Sequence, residues 1–132
     1  MMNPYEILNK YNSYAVIGMN NDPDKYAHRI FKKLEEKGKT VYGVSPKYTE
    51  IDGHPIYSTL KDIPFDVEIA VFVVNPSIGI HLLEDVKQKG CTYVWLQPGT
   101  IHDELLEKAH ALGLETVEAC VLREYNRHTK VI

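Results

Sequence analysis

The sequence predicts an α/β protein: one parallel β-sheet, wound in both directions, with helices on both faces. Three observations carry that expectation. Short apolar runs rich in β-branched residues recur along the chain, and segments with apolar residues at i, i+3/i+4 spacing lie between them. Three of those helical segments stop at a glycine, Gly38, Gly90 and Gly113, just before the next apolar run. Strands that alternate with helices of this length form parallel sheets, and right-handed crossovers restrict how such a sheet can be wound.

Taken in order, Asn3 and Pro4 ahead of Tyr5, Leu8 and Tyr11 predict a short capped helix with proline at its first position. Tyr14 to Gly18 is the first strand. A polar loop leads to a helix from about Asp24 to Lys37, with Tyr26, Ala27, Ile30, Phe31 and Leu34 on one face. Thr40 to Val44 is the second strand. The polar connection to Pro64 holds an extended Pro55-Ile56-Tyr57 and a single helical turn around Ser58 to Ile63. Asp66 to Val74 is the most hydrophobic strand and so the central one.

Asn75-Pro76 then opens a helix with Ile78, Leu82, Leu83 and Val86 on one face, ending at Gly90. Thr92 to Leu96 is the fourth strand, followed by the turn Gln97-Pro98-Gly99. Thr100, three residues before Asp103, is placed as the cap of a helix that turns Ile101, Leu105, Ala109 and Leu112 inward. Leu114 to Ala119 is the fifth strand, and Cys120 to Ile132 is a charged tail with helical potential. The expected architecture is a Rossmann-like, doubly wound, five-stranded parallel sheet in the order 2-1-3-4-5. Its ligand crevice lies at the carboxyl ends of strands 1 and 3, where the winding reverses.

Composition narrows the function. The 132 residues are expected to form a single domain over 1–132, long enough to bury a core and too short for a second, catalytic domain. The 15 basic and 18 acidic residues are mixed, with no basic block, so nucleic acid is not an expected partner. No apolar run approaches the roughly 18–20 residues of a membrane helix. The first residues lack the pattern of a signal peptide, which makes a cytoplasmic location the expectation. Cys91 and Cys120 belong to opposite ends of parallel strands and are expected to be free thiols. The six histidines show no H-x-x-x-H and the cysteines no C-x-x-C, so no metal site is expected.

The stretch Tyr14 to Tyr26, strand then glycine turn then helix, is the first half of a βαβ unit. Such a turn aims backbone N–H groups and the positive end of a helix dipole at one point, which suits phosphate. Only Gly18 of the three glycines of a dinucleotide fingerprint is present. Asn20 and Asn21 serve either as amide donors to a phosphate or as turn formers. The second strand ends in Ser45 and Lys47 where an NAD site carries an acid for the ribose diol. That exchange favours a phosphorylated ribose, as in NADP or coenzyme A. Lys47 is otherwise a solvated loop lysine. Lys25 opposes the helix dipole unless it meets a phosphate. Asn75 and Gln97 are ligand contacts or loop caps. No G-x-S-x-G elbow is present. Cys120 is the one nucleophile expected at the crevice, its alternative being a small buried residue that ends a strand.

Several of these segments together resemble a known family. They are Gly18-x-Asn20 with Pro23 and Lys25-Tyr26, Val44-Ser45-Pro46-Lys47-Tyr48, and Tyr57-Ser58-x-x-x-Asp62-Ile63-Pro64. Trp95-Leu96-Gln97-x-Gly99 and Cys120-Val121-Leu122-Arg123-Glu124-Tyr125 extend the match. The chain resembles the small stand-alone CoA-binding domain proteins and, more distantly, the N-terminal CoA-binding domain of the succinyl-CoA synthetase alpha subunit. The resemblance implies that Gly18, Met19 and Asn20 line the phosphate turn and that Lys25 and Lys47 lie near CoA phosphates. It further implies that Val44, Ser45 and Pro46 flank the adenosine, that Val73, Val74, Asn75 and Pro76 form the facing wall, and that Gln97 and Gly99 form its far edge. The family often has serine where Asn20 stands and asparagine where Ser45 stands, and Pro98 and Thr100 interrupt its usual apolar run. The catalytic histidine of the synthetases lies in another domain, so ligase activity does not carry over.

The resulting expectation is a non-catalytic module that binds CoA or an acyl-CoA. Two alternatives stand beside it. One is a small NADP- or CoA-dependent enzyme using Cys120 in thiol or acyl exchange. The other is a regulatory interaction domain that has lost its ligand.

Overall fold

The computed structural model describes residues 2–128. Helix α1 (Pro4–Lys10) starts on a reciprocal cap: Asn3 Oδ1 accepts from the Glu6 amide and Glu6 Oε1 accepts from the Asn3 amide, both at 2.9 Å. The sheet has seven strands: β1 (Ser13–Ile17), β2 (Thr40–Val44), β3 (Glu50–Ile51), β4 (His54–Tyr57), β5 (Ile69–Phe72), β6 (Tyr93–Leu96) and β7 (Glu115–Glu118). They lie in the order β3-β4-β2-β1-β5-β6-β7. The five expected strands keep the expected order, β2-β1-β5-β6-β7, and pair in parallel throughout.

The strand count corrects the expectation. The segment after β2 adds a hairpin to the edge of the sheet, with β4 parallel to β2 and β3 antiparallel to β4. Its two-residue turn is Asp52-Gly53, with φ of +52° and +82°, the paired positive values of a tight hairpin turn. The central strand is also shorter than the apolar run suggests, pairing only over Ile69–Phe72.

The period-2 alternation of the strands builds two apolar layers. Tyr14, Val16, Ile69, Val71, Trp95 and Val117 face α1, α2 (Tyr26–Glu36) and α6 (Val121–Arg127), meeting Leu8, Ile30, Phe31, Leu34 and Val121. Ala15, Ile17, Ala70, Phe72, Val94 and Leu96 face the other way, against Leu83 and Val86 of α4 (Leu83–Lys89) and Leu105 and Ala109 of α5 (Asp103–Ala111). The charged tail is thus helical over α6, where it packs on α1 and α2; residues 129–132 lie outside the described part.

Two helix expectations change. Residues 76–89 are not one helix but α3 (Pro76–Gly79), a 3₁₀ turn (Ile80–Leu82) and α4. Gly79 lies so close to the second helical layer that a Cβ there would sit 3.1 Å from Leu105 Cδ1 and 3.3 Å from Phe72. At the tighter turn the Ile80 carbonyl accepts from Lys108 Nζ at 2.9 Å, and Lys108 also pairs with Glu84 at 2.9 Å. The break turns Ile78 outward, 51 % exposed. In addition, α5 is capped by His102, whose Nδ1 accepts from the Glu104 amide, and not by Thr100. Ile101 consequently stays on the surface. Among the described residues no helix is long and apolar enough to cross a membrane.

Candidate functional site

The carboxyl ends of β2, β1, β5, β6 and β7 open into one crevice of about 990 Å³, at the upper end of the size range of small-molecule sites. Gly18, directly after β1, forms its floor. Its φ is +97°, and a Cβ there would lie 2.4 Å from the Val73 carbonyl oxygen and 2.8 Å from Val74 Cγ1. Glycine is therefore required twice, for the left-handed backbone and for the close approach of the β5 end.

The expected phosphate turn is corrected in one respect. The amides of Gly18 and Met19 both donate to the Val44 carbonyl, at 2.9 and 3.0 Å, so neither is free for an anion. They hold the β1 end against the β2 end instead. Beyond them, Asn20 Oδ1 accepts from the Asp22 amide at 2.8 Å, and Asp22 Oδ1 accepts from the Asp24 amide at 3.0 Å. These successive side-chain turns carry the loop into α2, whose first turn begins at Lys25 without a side-chain cap. The start of α2, with Lys25 at its N-cap, and Asn20 line the same crevice.

His28, buried on α2, was not a candidate from the sequence. Its Nδ1 lies 2.8 Å from the Asn20 carbonyl and its Nε2 lies 3.2 Å from Asp52. It ties the loop to the β3–β4 hairpin. Tyr48 adds a second link, donating to Asn21 Oδ1 at 3.3 Å. A lone histidine gave no spacing signal, and its partner became visible only once the hairpin placed Asp52 over α2.

At the β2 end, the Ser45 amide donates to the Tyr57 carbonyl at 2.9 Å, and Ser45 Oγ accepts from the Lys47 amide at 3.2 Å. Ser45 is buried, whereas Pro46 and Lys47 are exposed on the rim of the crevice. Val44, Ser45, Pro46 and Lys47 all line it. Opposite stand Val73, Val74 and Asn75. Pro76 does not: it occupies the first position of α3, where proline's fixed φ starts the helix, and it is absent from the crevice lining.

Thr100 replaces part of the expected apolar run with a fixed function. Fully buried, its Oγ1 accepts from the Val74 amide at 3.2 Å and lies 3.1 Å from the Phe72 carbonyl and 2.5 Å from that of Val74. It pins the β5 end to the β6–α5 connection. Gln97 does the same between β6 and α6: its Oε1 accepts from the Val121 amide at 2.8 Å. Gln97, Gly99 and Cys120 form the far side of the crevice, and Ile17, Leu60, Phe72, Ile78 and Leu82 supply apolar walls.

Three cations border the space: Lys25, Lys47 and Arg123. Among the described residues none of them pairs with a carboxylate. Arg123, on α6, belongs to a segment that carries the family resemblance, but the sequence does not mark it as a site residue, because nothing in a seven-residue helix shows which way it points. Asp85 is the acid on the lining. Both cysteines are free; Cys120 lines the crevice, while Cys91 lies away from it and burial pushes its thiol up to about 11. Among the described residues no cluster of three or more His, Cys, Asp or Glu could hold a metal ion.

Comparison with known proteins assigns this geometry to a family. Residues 12–126 match the CoA-binding domain. The alpha subunit of the ADP-forming acetate–CoA ligase II of Pyrococcus furiosus is 30% identical over 128 residues, covering 89% of this chain and 28% of the ligase subunit. The chain thus spans under a third of the length of that curated relative. The protein YneT of Bacillus subtilis is 23% identical, with 88% and 87% of the two chains covered. Among solved structures, a hypothetical protein of Pyrococcus horikoshii superposes with a TM-score of 0.87 at 36% identity, over 92% of this chain and 87% of that one. A dinucleotide-forming acetyl-coenzyme A synthetase of Ca. Korarchaeum cryptofilum, in complex with phosphate and ADP, superposes with a TM-score of 0.70 at 26% identity, over 87% of this chain and 27% of that one. The sheet order, the glycine-floored crevice and these matches over nearly the whole length agree, and the chain belongs to the CoA-binding domain family.

Proposed function

We propose that the crevice binds coenzyme A, free or acylated, as a non-catalytic module. One observation carries the reading: Lys25 and Lys47 border the Gly18 turn without carboxylate partners, and the β2 end offers no acid to a ribose diol. An NAD site needs that acid. A ligand with a pyrophosphate and a further phosphate on the ribose answers both cations. The apolar walls past β5 suit an uncharged arm. The roles of Gly18, Met19 and Asn20 in this reading are to shape the floor, with Lys25 and the start of α2 meeting the pyrophosphate and Lys47 the 3′-phosphate. Ser45 holds the Lys47 turn, and Val44 and Pro46 flank the adenosine. The ligase activity of the longer relatives is not part of the proposal.

Native mass spectrometry of the full chain against an equimolar mixture of CoA, NADP and NAD tests it. Retention of one CoA per chain is the expected result. Retention of NADP in preference would favour the nicotinamide alternative, and retention of nothing would mark a domain that has lost its ligand.

A further inference from the structure

Cys120 sits where two cavities meet. It lines the main crevice and also a second cavity of about 470 Å³ that shares Pro98, Cys120 and Arg123 with the first. The residue is 9 % exposed, so what reaches its thiol does so through these cavities.

A second side chain at the same wall points to a ligand. Gln97 is 5 % exposed, and its amide oxygen is committed to the Val121 amide. That bond fixes which branch of the amide is the nitrogen. Among the described residues the Gln97 Nε2 has no hydrogen-bond partner, and the residue lines the crevice. An N–H donor left without a protein partner on the wall that Gln97 shares with Cys120 suits a carbonyl acceptor on a bound molecule. The arm of CoA carries two amide carbonyls.

The sheet also sets the distance. The Gly18 floor stands at the β1 end and Cys120 follows the β7 end, three strand positions away across β5 and β6. Three spacings amount to about 14 Å. From the pyrophosphate to its sulfur, the pantetheine arm has as many bonds as about four extended residues, or roughly 14 Å. A CoA with its pyrophosphate at Lys25 and the start of α2, above the Gly18 floor, and its arm laid across the strand ends brings its sulfur toward Cys120, passing Gln97 on the way.

We infer that Cys120 is a covalent capture site for CoA disulfides, forming a mixed disulfide with the bound CoA moiety. This rests on the CoA reading of the crevice. The step is thiol–disulfide exchange. Cys120 gives its proton to solvent, and the thiolate attacks one sulfur of a CoA disulfide. The Cys120–CoA S–S bond forms as the original S–S bond breaks, and the other half leaves as a thiolate that takes up a proton. One disulfide replaces another, so no further oxidant is needed. The second cavity, beyond Cys120, gives the departing half room.

The test is intact-mass kinetics on the reduced full chain with CoA disulfide or glutathione disulfide at equal concentration. The expected result is one CoA adduct per chain, mapped to Cys120 and released by dithiothreitol. It should form at least ten-fold faster than the glutathione adduct and be slowed by added reduced CoA. Cys91→Ser should retain the adduct and Cys120→Ser should lose it. No adduct, an adduct at Cys91, or equal rates with the two disulfides would overturn the inference. Calorimetry with reduced CoA, run in parallel, separates this from failure of the binding reading: CoA that binds without forming the adduct defeats only the covalent step.

Discussion

Replacing Gly18 by alanine attacks the point on which β1, β2 and β5 converge. Two costs add. An L-residue in the left-handed region loses about 1–2 kcal/mol. The new Cβ would also fall 2.4 Å from the Val73 carbonyl oxygen, a backbone atom that cannot swing aside. Forcing such an overlap costs about 1–3 kcal/mol. The sum is about 2–5 kcal/mol, or a loss of roughly 8–20 °C in Tm for a domain of this size. Gly38→Ala is the matched control. Its φ is +80°, yet a Cβ there meets nothing within 4 Å, so only the backbone cost of about 1–2 kcal/mol applies. Thermal unfolding followed by circular dichroism compares the two. Equal losses for Gly18→Ala and Gly38→Ala would refute the close approach of Val73 and, with it, the reason given for a glycine floor.

Two further outcomes follow from groups that tie the strand ends together. Thr100→Val removes the hydroxyl that accepts from the Val74 amide and bonds the Phe72 and Val74 carbonyls; urea unfolding should show a loss of about 1–3 kcal/mol with an unchanged m value. Burial raises the Glu68 carboxyl, but hydrogen bonds from the Asn12 amide at 2.8 Å and from the Ser13 amide and hydroxyl, with the charge of Lys39, hold it below the usual range. A lowered folded-state pKa stabilises above the unfolded value of about 4.3 and is lost as pH falls through the folded one. Glu68→Gln should therefore melt below the wild type at pH 7, and the gap should close in acid below about pH 4; a gap that persists there would contradict the assignment.

The parts of the fold that depend on repetition were legible in the sequence. The glycines at 38, 90 and 113 all take φ near +80° after their helices, and the period-2 strands fill both core layers as the alternation implies. What escaped depends on contacts between distant segments. The β3–β4 hairpin has an Asp-Gly turn, a recognised signal, but strands of two and four residues are too short for alternation to show. The break at Gly79 reflects how near α5 comes, which no local pattern encodes. In the site, Gly18, Lys25 and Lys47 could be placed from their positions at strand and helix ends. The commitment of the Gly18 and Met19 amides to Val44 could not, because the β2 register decides it. Arg123 and His28 likewise became visible only when α6 and the hairpin had been placed.

The central claim is that a phosphorylated ribose meets Lys47 at the β2 end. Isothermal titration calorimetry with CoA and 3′-dephospho-CoA tests it most directly. A charge-assisted contact of this kind contributes about 1.5–3 kcal/mol, toward the lower figure on an exposed rim. CoA should therefore bind about ten-fold or more tightly than its dephospho form, the difference should shrink in high salt, and Lys47→Ala should bring the two ligands nearly level. NAD should bind weakly throughout. Equal affinity of the wild-type protein for CoA and 3′-dephospho-CoA would contradict the account.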